Sequence, residues 1–389
     1  MNRDRREADP SPGLGRRDFL KRAAAMGAGL ALGVTRRAKA DEASAATSSE
    51  RRNERPDVTY RRLGRTDLMV SALTFGSIKL GVDNLRVLDA AVEQGVNLVH
   101  TNMGYSGGKS IRALGQWLKT PGHREKIFLA LKPRCEKVSE TRLDLTPIDE
   151  ELEILGTDHV DLLMVPIHEP GPVLDEAVRE QFQAMRDAGK ARRMGLTFHS
   201  NLPEVFENGV KAGWYDVFQP TYNLPSRDVL KPLLAKAKDA GIGLVTMKSV
   251  KGLPRGEDPV PTWQQFLDDG IDTVLRTMTT TDELDRYMRL ARKSEPAVAR
   301  AALADCTGQC TLCGRCAACP QGVAIQDALR IHQYYGEQLG WMDEARAQYA
   351  RIPRSARAAV CADCGRCEEV CPQGLAVRSL VRAADRALA

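Results

Sequence analysis

From Val58 onward, short apolar runs alternate with amphipathic stretches. Eight apolar runs stand out: Val70–Ile78, Asn97–Asn102, Ile127–Pro133, His159–Ile167, Arg193–His199, Asp216–Asn223, Gly241–Ser249 and Ile271–Met278. Each is bounded by polar residues or Gly and is rich in Val, Leu, Ile or Phe, as strands buried in a parallel sheet are. The stretches between them have helical periodicity. Asn84–Gly95 places Leu85, Leu88, Ala91 and Val92 on one face, and Ser226–Ala240 places Val229, Leu233 and Ala237 on another. Gly95, Gly156, Gly189, Gly213 and Gly241 stand where helices should stop. Eight strand–helix alternations predict an α/β fold, a closed (β/α)8 TIM barrel. An open doubly wound sheet is the runner-up, and its G-x-G-x-x-G after the first strand is absent.

The chain has 389 residues, room for a barrel of roughly 250 and a smaller module. No apolar stretch reaches the roughly 20 residues of a transmembrane helix, so no span is expected in the mature chain. The net charge of +5 is uneven: residues 1–40 carry ten Lys/Arg against four Asp/Glu, a net +6, which leaves −1 for the rest. A near-neutral remainder removes the main support for nucleic-acid binding.

The first forty residues begin basic, with Arg16-Arg17-Asp18-Phe19-Leu20-Lys21. A weakly apolar run from Ala23 to Val34 follows, then Ala38-Lys39-Ala40. That order makes a signal peptide rather than a membrane span. The paired arginines resemble the twin-arginine (Tat) consensus, which implies export of a folded protein by the Tat machinery to the periplasm. Cleavage is expected after Ala40, with 41–57 as a disordered linker.

Nine of the ten cysteines lie between Cys306 and Cys371, mostly at C-x-x-C spacing, which suits a metal better than a disulphide framework. Cys310, Cys313, Cys316 and Cys319 form one run; Cys361, Cys364, Cys367 and Cys371 form the other. Both continue Pro-Gln-Gly. Zinc also takes four-cysteine sites and is the competing metal. Cys306 is left over, as a spare thiol or an alternate first ligand. The intervening residues include helical patterns at Ala324–Tyr335 and Met342–Tyr349, so the module is mainly α.

In a barrel, chemistry belongs at the C-terminal ends of the strands. His100, Thr101, Asn102, Tyr105, Lys132, His168, Thr197, His199, Gln219, Tyr222, Asn223 and Lys248 fall there. The segment Val58-Thr59-Tyr60-Arg61-Arg62-Leu63-Gly64-Arg65-Thr66, followed by Val70-Ser71, resembles the N-terminal hairpin of the aldo/keto reductases. The resemblance continues in order through Val96–Tyr105, Ile127–Lys132, Asp161–His168, Gly195–His199, Gln219–Asn223 and Gly241–Lys248, and covers 58–298. It implies that Tyr105 is the catalytic proton donor and that Lys132 lowers its pKa. The family's aspartate position is His100, a departure, because an imidazole cannot balance the lysine. The family's catalytic histidine aligns with Pro166, so either His168 takes the role through a small insertion or the role is vacant. The resemblance further implies that Thr197, His199, Gln219, Tyr222, Asn223 and Lys248 hold a nicotinamide, with NADP(H) the family default. Thr279, before a helix N-terminus, would take a phosphate.

The second cysteine run resembles the bacterial ferredoxin pattern, in which the fourth Cys serves the other cluster. The first run resembles the tails of iron–sulphur aldo/keto reductases. These resemblances imply two [4Fe–4S] clusters in a module over 299–389: Cys310, Cys313, Cys316 and Cys371 on one, and Cys361, Cys364, Cys367 and Cys319 on the other. The expected function is an exported oxidoreductase acting on a small carbonyl-type substrate, with a redox protein as a further partner. The alternative is a barrel without turnover that serves as an electron-transfer or binding module. Clusters acting purely as structural staples fit either.

Overall fold

The computed structural model describes residues 49–137, 143–145, 148–293, 306 and 308–389. The expected signal over 1–40, the first part of the linker and the expected boundary at 298/299 lie outside the described residues.

The chain opens with three short strands: β1 (Glu50–Arg51), β2 (Tyr60–Arg62) and β3 (Leu68–Ser71). β2 and β3 form an antiparallel hairpin, and β1 adds parallel to β3. Residues 50–57 are therefore part of the fold, which corrects the expectation of a disordered linker there: Glu50 and Arg52 are held by ion pairs. The hairpin turn requires Gly64. It has φ +55°, and a Cβ there would stand 2.1 Å from the Gly243 nitrogen.

The barrel strands are β4 (Leu73–Gly76), β5 (Leu98–Asn102) and β6 (Phe128–Lys132). A small antiparallel pair, β7 (Cys135–Lys137) and β8 (Leu143–Leu145), interrupts them. β9 (Val160–Pro166), β10 (Ala191–Phe198), β11 (Val217–Pro220), β12 (Gly243–Thr246) and β13 (Thr273–Arg276) complete the set. Each barrel strand pairs parallel with the next, and β13 closes on β4. All eight expected runs contribute a barrel strand. Leu63, Leu68 and Val70 of the hairpin plug the bottom of the barrel against Leu98, Phe128, Leu162 and Val217.

Helix Leu85–Glu93 buries Val87, Leu88, Ala91 and Val92. Helix Leu224–Asp239 buries Leu230, Leu234 and Ala237, so its inner face is centred one residue beyond the expected Val229 and Leu233, which pack only partly. The glycines expected to stop helices all have positive φ.

The cysteine module packs on the end of the barrel where the strands finish. Its helix Ile325–Arg330 runs into a wider π-helical segment, Ile331–Gln338, and helix Met342–Tyr349 follows. Helix Val377–Leu388 presents Val377, Val381, Ala384 and Leu388 to the module's core. Several bonds tie module to barrel. The Leu202 N–H donates to the Leu312 carbonyl at 3.1 Å. Asn201 and Gln326 exchange two bonds, of 3.0 and 2.8 Å. Gln338 donates to the Leu253 carbonyl at 2.9 Å. No helix among the described residues is long and apolar enough to cross a membrane.

The opposite end of the barrel is held by a charge cluster. Asp161 of β9 is 0 % exposed and pairs with Arg52 at 3.0 Å, Arg124 at 2.9 Å and Arg192 at 2.8 Å. It also accepts the Leu129 N–H at 2.9 Å. Burial would raise its carboxyl, but Arg124 and Arg52 hold it below the ordinary range. Asp161→Asn keeps the shape and leaves three guanidiniums facing a neutral amide. The expected loss is about 3 kcal/mol, read as a lower denaturant midpoint at neutral pH. Because the folded-state pKa is depressed, this contribution is present above the unfolded carboxyl value of about 3.9 and fades as pH falls through the folded value. A variant with an unchanged midpoint would show the cluster to be surface decoration.

Candidate functional site

The strand ends and the module enclose a cavity of about 890 Å³. From the barrel come His100, Tyr105, Lys132, Thr197, His199, Gln219, Lys248 and Arg276. From the module come Arg330, Tyr334, Tyr335, Trp341, Glu344, Gln348 and Arg351, which form a roof. Sequence reasoning missed this roof entirely. Its one signal was the Tyr334-Tyr335 pair in a stretch longer than a minimal ferredoxin needs.

His100 ends β5 and is 2 % exposed, with both ring nitrogens unpartnered. Burial, Lys132 and Lys248 push it down to about 3, so it is a neutral imidazole. Tyr105 follows in a short turn, its ring 6.1 Å from that of His100. Burial, with Tyr335 and Glu344 beside it, pushes the phenol up. The depression expected from Lys132 is not what this pocket produces, because the roof removes water and brings a carboxylate close. Lys132 ends β6 and is pushed down to about 8 by burial and Arg330. Asn102 fixes the turn: its amide donates to the Lys132 carbonyl at 2.7 Å, and its oxygen accepts the Gly104 N–H at 2.8 Å.

His199 lines the cavity, and His168 stacks on it with centroids 3.6 Å apart. Burial pushes both well below the ordinary histidine value. Pro166 ends β9, paired with Thr197. Thr197 donates to the Gln219 carbonyl at 3.3 Å, and Lys248 projects between strand end and roof at φ 55°.

Three expected cofactor residues are engaged elsewhere. Tyr222 is fully buried and turns to the helix layer, where its hydroxyl donates to Asp269 at 2.8 Å and its ring meets Phe266 at 5.0 Å. Asn223 caps helix Leu224–Asp239 by accepting the Ser226 N–H at 3.1 Å. Thr279 gives both its N–H (2.8 Å) and its hydroxyl (2.9 Å) to Glu283, so a carboxylate already holds the donors meant for a phosphate. Thr279 lines a second cavity of about 920 Å³ with Arg255, Arg286 and Tyr287. Arg276, Thr277 and Trp341 line both cavities.

The thiols ring two further cavities. Cys310, Cys313, Cys316 and Cys371 surround one of about 360 Å³. Cys316, Cys319, Cys361, Cys364 and Cys367 line the other, of about 650 Å³. Each cavity joins the two runs: Cys371 of the second lies on the first cavity and Cys319 of the first on the second, while Cys316 borders both. Burial and the neighbouring sulphurs push the Cys316 thiol up to about 12, so it ionises only against a compensating cation. Among the described residues, no three Cys, His, Asp or Glu converge closely enough for a single metal ion. Lys251, 4 % exposed, joins barrel to module by donating to the Cys310 carbonyl at 2.9 Å and to Gln333 at 3.0 Å.

Comparison with known proteins gives two matches within the chain: residues 72–303 to the aldo/keto reductase family, and residues 309–376 to a 4Fe-4S dicluster domain. The chain is similar to aldo-keto reductase YhdN of Bacillus subtilis (strain 168), 28% identical over 217 residues, which cover 51% of this chain and 64% of that protein. It therefore spans slightly under two thirds of that relative. It is also similar to L-galactose dehydrogenase of Arabidopsis thaliana, 31% identical over 230 residues, covering 53% of this chain and 70% of that protein. Among solved structures, aldo-keto reductase AKR11C1 of Bacillus halodurans in its holo form aligns with TM-score 0.50 and 24% identity, over 60% of this chain and 90% of that one. That likeness is one of fold.

Proposed function

From the premise that the chain belongs to the aldo/keto reductase family and carries a 4Fe-4S dicluster domain behind its barrel, we propose that it is an exported oxidoreductase. It reduces a carbonyl-type substrate with NAD(P)H in a pocket that its own iron–sulphur module closes. The observation that carries this is the shared cavity: Tyr105 and Lys132 of the barrel face Arg330, Tyr335 and Glu344 of the module.

A bound nicotinamide supplies the hydride. Thr197, His199 and Gln219 are placed to hold its ring end, and Arg276 and Thr277 lead to the second cavity for the remainder. Tyr105 donates the proton to the carbonyl oxygen; its raised pKa keeps the phenol protonated but holds the proton tightly, so transfer depends on the negative charge that develops on that oxygen as hydride arrives. Lys132 keeps positive charge beside the reacting oxygen below about pH 8. The roof covers the side chains that serve both events.

Two [4Fe–4S] clusters fit the donor set. Thiols that ring a cavity suit a cluster several atoms across, where one zinc would draw them to a point. The place of Cys371 beside Cys310, Cys313 and Cys316, and of Cys319 beside Cys361, Cys364 and Cys367, supports crossed ligation. Export through the twin-arginine route rests on residues 16–21 and on the need to load clusters before translocation.

A second reading, a barrel without turnover serving electron transfer, is favoured by the Glu283 carboxylate on Thr279 and the engagement of Tyr222 and Asn223. NADPH fluorescence quenching by the anaerobic holo-protein separates the two. Binding with carbonyl-dependent oxidation is expected. Absence of binding, with clusters that still reduce reversibly, would support the second reading.

A further inference from the structure

We infer that the roofed cavity is built for an anionic carbonyl compound, one that carries a carboxylate or a phosphate on the molecule whose carbonyl reacts. The inference deepens the proposed reduction and rests on it for what the bound anion is used for.

The cavity carries positive charge that its lining does not match. Lys132, Lys248, Arg276, Arg330 and Arg351 converge on the cavity, and the only carboxylate among its lining residues is Glu344. Lys132 and Lys248 have no ion-pair partner among the described residues. The Lys248 ammonium reaches only the Met247 sulphur, at 3.7 Å, and the faces of Tyr334 and Tyr335, at 5.8 and 5.7 Å. Arg330 is 6 % exposed; one terminal nitrogen donates to Asp327 at 2.8 Å and the other to the Gln348 side-chain oxygen at 3.4 Å, while its Nε is buried without a partner. The Arg276 Nε is likewise unpartnered.

Buried cations without counter-charge are costly. They persist where a ligand completes them, and the backbone of Lys248, at φ 55°, holds at that very point the left-handed conformation that favours glycine. The neutral His100 offers these lysines no counter-charge, so the deficit of anion lies in the chain itself. Burial pushes Lys132 down to about 8 and Lys248 well below its ordinary value. An arriving oxyanion favours the charged form of both and is what lets Lys248 hold its proton. The barrel side offers Tyr105 to the carbonyl, and Lys248 with Arg330 offers the charged, bond-donating wall for the oxyanion.

The test is binding without turnover, read as Trp341 fluorescence in the anaerobic full-length holo-protein. Two pairs serve as probes: 2-oxobutanoate against its methyl ester, and dihydroxyacetone phosphate against dihydroxyacetone. ADP-ribose is a third arm, for the cofactor's own phosphates. In at least one pair the charged member is expected to bind at least about ten-fold tighter, and the pair that shows the gap identifies carboxylate or phosphate. Lys248→Met and Arg330→Met should each close most of that gap, while Lys248→Arg keeps it. Equal affinity in both pairs overturns the inference. So does loss of the gap in Lys248→Arg as fully as in Lys248→Met, or weakening of ADP-ribose instead of the small anions. A chain that shows the preference but never oxidises NADPH would refute the reduction and leave the anion site standing.

Discussion

Cys371→Ser is expected to remove the cluster of the first cysteine run, although Cys371 belongs to the second. Cys371 lines the same cavity as Cys310, Cys313 and Cys316. Three closely spaced thiolates cover one side of a cluster, and the fourth must arrive from elsewhere in the chain. Iron should fall from about eight to about four per chain, and thermal stability should fall with it, because ligand bonds and folding are coupled. The double variant Cys371→Ser/Cys310→Ala should lose no more iron than the single, whereas Cys371→Ser/Cys361→Ala should lose nearly all of it. Uncrossed ligation would reverse that order.

Tyr105→Phe is expected to lower carbonyl-dependent NADPH oxidation by about 10³-fold, with NADPH quenching unchanged. Tyr105 lines the cavity together with Lys132, and the neutral His100, with no charge to offer, is a poor substitute for its hydroxyl. Removing the oxygen leaves the ring's packing under the roof intact, so cluster content should not change. A Phe variant of undiminished rate would place the proton donor elsewhere and leave the barrel chemistry unexplained.

The barrel was legible because each strand is a self-contained apolar run, and burial on both sides needs no knowledge of neighbours. Helix Met342–Tyr349 was legible for the same local reason. What failed depended on distant partners. The inner face of Leu224–Asp239 moved by one residue because the Asn223–Ser226 cap fixes where the helix starts. Tyr222 looks like a cofactor residue beside Gln219 and Asn223, yet Asp269 and Phe266, over forty residues on, draw it to the outer layer. Arg52 read as linker until Asp161, more than a hundred residues away, gave it a place. The roof is the largest case. Nothing local to Arg330, Tyr335 or Glu344 says that the module folds back over the strand ends, because that is set by contacts such as Asn201 with Gln326 and Lys251 with Cys310.

The account depends most on iron–sulphur clusters held beside the barrel mouth. Purification without oxygen, with iron, acid-labile sulphide and zinc counted per chain, tests this most directly. About eight iron and eight sulphide, in a brown protein free of zinc, is the predicted result. A colourless protein with stoichiometric zinc and no sulphide would contradict it.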